Sequence, residues 1–83
     1  EEGEINAEFG KNALGGPSIK VESDIEGAVK YEVFNKENEA RLLSPTELGI
    51  EKALLFVVAG DEIVVNVLDS SNEVLETKTF TIK

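Results

Sequence analysis

The chain has 83 residues, enough for one small domain over 1–83 and a thin core, but with little volume for a deep catalytic cleft. Seventeen acidic residues against eight basic ones give a net charge of −9, which repels phosphate backbones and anionic membrane surfaces, leaving solubility or attraction of a cation or basic partner. With no Cys and no His there is no disulfide, no thiolate or His-ligated metal centre, and no Ser-His-Asp or Cys-His catalysis.

The dominant pattern has period two and is broken by turns at intervals of roughly eight to twelve residues, the spacing of an all-β sandwich or barrel. Ile5, Ala7 and Phe9 alternate with Glu4, Asn6 and Glu8. A Gly-rich turn spans Gly10 to Pro17, with its sharpest break at Gly15-Gly16-Pro17. Ile19 and Val21 then alternate with Lys20 and Glu22, and Ser23 to Gly27 is polar and turn-like.

Val29, Tyr31 and Val33 form the next apolar face, with Lys30 and Glu32 opposite, so Tyr31 is expected in the core. Phe34 breaks the alternation and marks a bulge, the lip of a sheet, or a contact with a neighbouring domain. After the charged loop Asn35–Glu39, Ala40–Leu43 reads as a returning strand, making Val29–Leu43 a hairpin.

Ser44-Pro45-Thr46-Glu47 has the form of a capping box with Pro at the first helical position. Gly49 costs a helix about 1 kcal/mol relative to Ala, so the expectation is at most one short helical turn near Ser44–Gly49, inside a connection between sheets. A longer helix there would make the fold α+β.

Ala53 to Ala59 is continuously apolar, as in a strand buried on both faces. Gly60-Asp61 breaks the run. Ile63, Val65 and Val67 then alternate with Glu62, Val64 and Asn66, and Asp69-Ser70-Ser71-Asn72 is a turn cluster. Glu73–Lys83 is the last strand, with Phe80 and Ile82 on one side and Thr77, Thr79 and Thr81 on the other. The fold class expected is therefore all-β: a two-sheet, immunoglobulin-like sandwich of about seven strands.

Leu54 to Ile82, about a third of the 83 residues, resembles the closing strands of bacterial immunoglobulin-like and fibronectin type III-like surface modules. The resemblance lies in Ala59-Gly60-Asp61 leading into Glu62–Asp69, then Ser70-Ser71-Asn72, then Thr79-Phe80-Thr81-Ile82. Fibronectin type III domains proper carry a Tyr where Ile63 stands and an early Trp; this chain has no Trp, and its one Tyr is Tyr31. The resemblance implies a non-catalytic spacer or adhesion module of a multidomain bacterial or archaeal protein, extracellular or at the cell surface. Its partners would be neighbouring domains of the same chain. The alternative is an accessory module binding a protein or glycan; the scarcity of Trp and Tyr weighs against the glycan.

Three further sites follow from residue types. Asp61 and Glu62 at one corner, and Asp69, Asn72 and Glu73 at the last hairpin, offer the clustered oxygens that calcium requires, as do Asp24 and Glu26, although the same residues serve ordinary turn chemistry. No organic cofactor is indicated. Asn66, inside an apolar strand, is either an outward-facing Asn or the acceptor of a Lys–Asn isopeptide bond. Parity places Lys20, Lys30 and Lys78 mainly on polar positions or at a strand edge, away from such a pairing. Paired carboxylates for glycoside hydrolysis have no cleft to stand in.

Overall fold

A computed structural model describes residues 4–11, 13, 15–54 and 57–82. Seven antiparallel strands follow in chain order: β1 (Ile5–Lys11), β2 (Pro17–Ser23), β3 (Lys30–Asn35), β4 (Arg41–Glu47), β5 (Glu51–Ala53), β6 (Glu62–Leu68) and β7 (Val74–Thr81). They form a three-stranded sheet, β1-β2-β5, and a four-stranded sheet, β4-β3-β6-β7. Hairpins join β1 to β2, β3 to β4 and β6 to β7, and the other three connections cross between the sheets.

The period-two pattern sets the register. Ile5, Ala7 and Phe9 of β1 stand opposite Ser23, Val21 and Ile19 of β2, with no break along the ladder. In the other sheet Tyr31 and Val33 pair with Val67 and Val65, which pair in turn with Glu76 and Lys78. The inner faces therefore carry Ile19, Val21, Val33, Ile63, Val65 and Val67, all fully buried. Slipping one strand by a residue would turn its apolar set outward, so burial holds the register.

Three expectations are corrected. Ser44–Glu47 is extended chain in β4, not a turn of helix. Between the pairs Tyr31–Thr46 and Val33–Leu43, Ser44 and Pro45 together stand opposite Glu32, so the proline sits at a bulge on an edge strand. An edge and a bulge are where a sheet tolerates a missing N–H. Partnering by β3 outweighs a weak local capping signal; only Leu48-Gly49 forms a turn, with Gly49 at φ 86°.

The apolar run Ala53–Ala59 is not one doubly buried strand. Ala53 ends the short, exposed β5, Leu54 and Val57 plug the core, and Val58 and Ala59 are exposed in the turn toward β6. Leu55 and Phe56 lie outside the described residues. Val29 precedes β3 and is exposed rather than part of its inner face. The bulge expected at Phe34 is present, as a register shift between Val33 and Phe34.

Tyr31 ties the four-stranded sheet to the crossover between β4 and β5. Its hydroxyl donates to the Ile50 carbonyl at 2.6 Å, and the side chain is 0% exposed. Burial, and secondarily the Glu51 carboxylate, push this hydroxyl up from its ordinary value of 10.0 to about 12. The folded state therefore holds the phenolic proton more tightly than the unfolded state. That contribution is fully present below pH 10.0 and is lost as pH rises through about 12. Because Tyr31 is the only tyrosine, tyrosinate absorbance reads it alone. Its midpoint is expected near 12 in the native protein and near 10 in denaturant, and a native midpoint near 10 would contradict the clamp.

Candidate functional site

The most organised polar arrangement lies on the outward face of the four-stranded sheet. Glu32, Asn66 and Thr77 are direct cross-strand partners on β3, β6 and β7. The Thr77 hydroxyl donates to Asn66 Oδ1 at 2.8 Å, and Asn66 Nδ2 donates to Glu32 Oε2 at 3.1 Å. The other Glu32 oxygen, Oε1, faces Arg41 Nη2 of β4 at 3.6 Å. The Arg41 guanidinium also lies 5.5 Å from the centre of the Phe34 ring. The row crosses all four strands, about 14 Å at the usual strand spacing.

Glu32 is 8% exposed although it points away from the core. A carboxylate so placed costs free energy unless its oxygens are engaged, and both are. The chemistry available is correspondingly restricted. No member of the row is a free nucleophile or an unengaged base, and the row stitches strands together across the face that the core cannot reach. Asn66 thus takes the outward reading, bonded to Glu32 and Thr77. Lys30 reaches Asn72 Oδ1 instead, at 3.0 Å, and Lys78 pairs with inward-facing Val65.

Sequence reasoning singled out Asn66 but missed Glu32, Arg41 and Thr77. Each looks like an ordinary polar residue on an alternating strand. Only the register brings them together, and the one local signal was an Asn inside an apolar run.

The calcium candidates fall into two groups at opposite ends of β6, roughly 20 Å of strand apart. At one end Asp61 Oδ2 accepts the Val58 amide at 3.0 Å, and Glu62 pairs loosely with Lys36 at 3.8 Å. At the other, Asp69 Oδ1 accepts the amides of Ser71 and Glu73 at 2.8 and 3.0 Å, while Asn72, at φ 65°, accepts Lys30. Asp24 accepts the amide of Glu4, just before β1, at 2.8 Å. Among the described residues, no group of three or more acidic side chains is close enough to hold a metal ion.

The grooves are shallow and peripheral. One of about 650 Å³ lies between Ala7–Phe9 of β1 and Thr79–Thr81 of β7. Another of about 420 Å³ lies at one pole, between Asn35–Glu37 and Gly60–Glu62. Among the described residues no helix is long and apolar enough to cross a membrane. The chain matches no protein-family model, no curated protein and no solved structure.

Replacing Asn66 strips a donor from a carboxylate that stays buried. Asn66→Ala is therefore expected to lower the unfolding free energy by about 1–3 kcal/mol. Thr79→Ala, at an exposed position on the same face, is expected to cost under about 0.5 kcal/mol. Urea denaturation compares the two, and equal costs would show that the row does not stabilise the sheet.

Proposed function

We propose that the chain is a non-catalytic, immunoglobulin-like module that acts as a spacer or adhesion unit between neighbouring domains of a cell-surface or secreted protein. The observation that carries this reading is the position of the two ends. β1 starts beside the end of β2 at Ser23, and β7 finishes beside the start of β6 at Glu62. β1 and β7 run side by side in the same direction, with Ile5 near Glu76–Lys78 and Phe9 near Phe80. The path thus comes in at the pole of the β2–β3 and β6–β7 connections and leaves at the pole of the β1–β2 and β3–β4 hairpins. A module with that geometry transmits tension through its whole length.

Strand order supports the class. β2 lies beside β5 in one sheet and β3 beside β6 in the other, as the second and fifth and the third and sixth strands do in immunoglobulin-type sandwiches. Ile63 is fully buried where fibronectin type III domains carry a pinning Tyr, and Tyr31 supplies a pin from a different strand. Self-satisfied polar groups and open, shallow grooves favour a mechanical task over a chemical one. A second reading, a module that binds a protein, is favoured by the groove along β1 and β7.

Force spectroscopy tests the mechanical reading. The chain lacks Cys, so cysteine handles can be placed at will. Handles at Glu4 and Ile82 load β1 and β7 in shear, and each unfolding event is expected to lengthen the chain by roughly 230–250 Å, the extended span less the folded separation. Handles at Glu4 and Ser71, both at one pole, peel the strands and are expected to unfold the module at lower force. Equal forces in both geometries, or extension without discrete events, would contradict a load-bearing role.

A further inference from the structure

The four outer strands are not equally protected against pairing with another chain. β4 carries two register shifts and Pro45. β5 is only three residues long. β7 turns two charged residues, Glu76 and Lys78, toward the inner side, opposite Val67 and Val65. Bulges, proline, shortness and inward charge are the devices that blunt a sheet edge.

β1 lacks the first three of them. It is seven residues long, contains no proline, and keeps an unbroken register with β2. Its inward residues from Ile5 to Phe9 are apolar, and the one charge on that side is Lys11, at the last position opposite Pro17. Among the described residues its outer edge pairs with no strand, and no backbone hydrogen bond joins it to β7. Between the two strands runs the groove of about 650 Å³, floored by Phe9 and Phe80, whose rings meet edge to face at 6.4 Å.

We infer that the free edge of β1, at its seam with β7, captures an extended peptide in which basic and apolar residues alternate. Main-chain hydrogen bonds to β1 would hold the guest, and its apolar side chains would enter the groove beside Phe9. Its basic side chains would stand on the outer side next to Glu8, an exposed carboxylate they would share with Lys20 of β2 at 3.5 Å, with Glu4, Glu76 and Lys78 at the lower end of the seam. Charge selects this occupant. The chain as a whole carries −9, which favours a basic guest and steers it in at low salt. A second copy of this chain is disfavoured, because its own β1 would bring Glu8 and the same net charge against this edge. The inference goes beyond the spacer reading and does not depend on it, since an edge can capture a strand whether or not the module bears load.

The test titrates the intact chain with a labelled peptide of about eight residues, matched to the length of β1, in which Lys alternates with Val. The comparison peptide has the same composition with its lysines in one block. Fluorescence anisotropy is expected to show the alternating peptide binding about tenfold tighter than the blocked one. Amide shift changes are expected to be confined to β1, β7 and the groove. Ala7→Lys, which adds an inward charge of the kind that protects β7, is expected to abolish the preference. Glu8→Lys, an exposed change that spares the core, is expected to weaken binding several-fold and flatten its salt dependence. Equal binding of the two peptides, shift changes centred on the acidic poles around Asp24 or Asp61, or indifference to Glu8→Lys would each overturn the proposal.

Discussion

Everything in this molecule depends on two thin sheets covering one another's apolar faces. The three-stranded sheet brings Ile19 and Val21 at its centre, and the four-stranded sheet brings Tyr31, Val33, Ile63, Val65 and Val67. Among the described residues there is no third layer, and a chain without Cys has no disulfide to compensate for a gap. The central strand β6 is rich in β-branched residues, which pack closely on a pleated surface, and β2 and β3 turn Ile19, Val21 and Val33 toward the same core. Leu54 and Val57 close one end of the core, and Ile25, Ala28 and Leu48 pack partly buried at the other.

Around that core the polar groups hold the layers in register. Tyr31 reaches from an inner face to the crossover backbone at Ile50. Ser18, buried in β2, donates to Glu51 of β5 at 2.6 Å, fastening the shortest strand to its sheet. The Glu32–Asn66–Thr77 row does comparable work on the outward face of the other sheet. No buried side-chain nitrogen or oxygen among the described residues lacks a partner. Polar satisfaction of this kind stabilises a fold, because a buried polar group left without a partner would cost about 1–3 kcal/mol.

The strands were legible where alternation was clean. β1, β2, β6 and the end of β7 follow from Ile5–Phe9, Ile19–Val21, Ile63–Val67 and Phe80–Ile82 almost residue by residue, because half-buried strands impose period two. The failures have physical causes. Ser44-Pro45-Thr46-Glu47 carries a helix-start pattern, but that local preference is worth only about a kilocalorie per mole, less than the ladder with β3 supplies. The apolar run Ala53–Ala59 gave no sign that Leu54 and Val57 would plug a core while Val58 faced water. Of the site residues, Asp69 makes the turn bonds its type suggests, to the amides of Ser71 and Glu73, and Asn72 instead accepts Lys30; Glu32 and Arg41 were invisible, since cross-strand neighbours are fixed only once register is known.

A core that sets register and polar stitches that lock it thus leave β1, β5, β4 and β7 as the outer strands of the two sheets. The central claim, that facing apolar layers on β2, β3 and β6 carry the stability, is tested most directly by native-state hydrogen exchange. Amides of Ile19, Val21, Val33, Val65 and Val67 should exchange slowest and only through global unfolding, ahead of them the amides of β5 and of β4 around its bulges. Protection spread evenly over all seven strands, or greatest in β4 or β5, would contradict it.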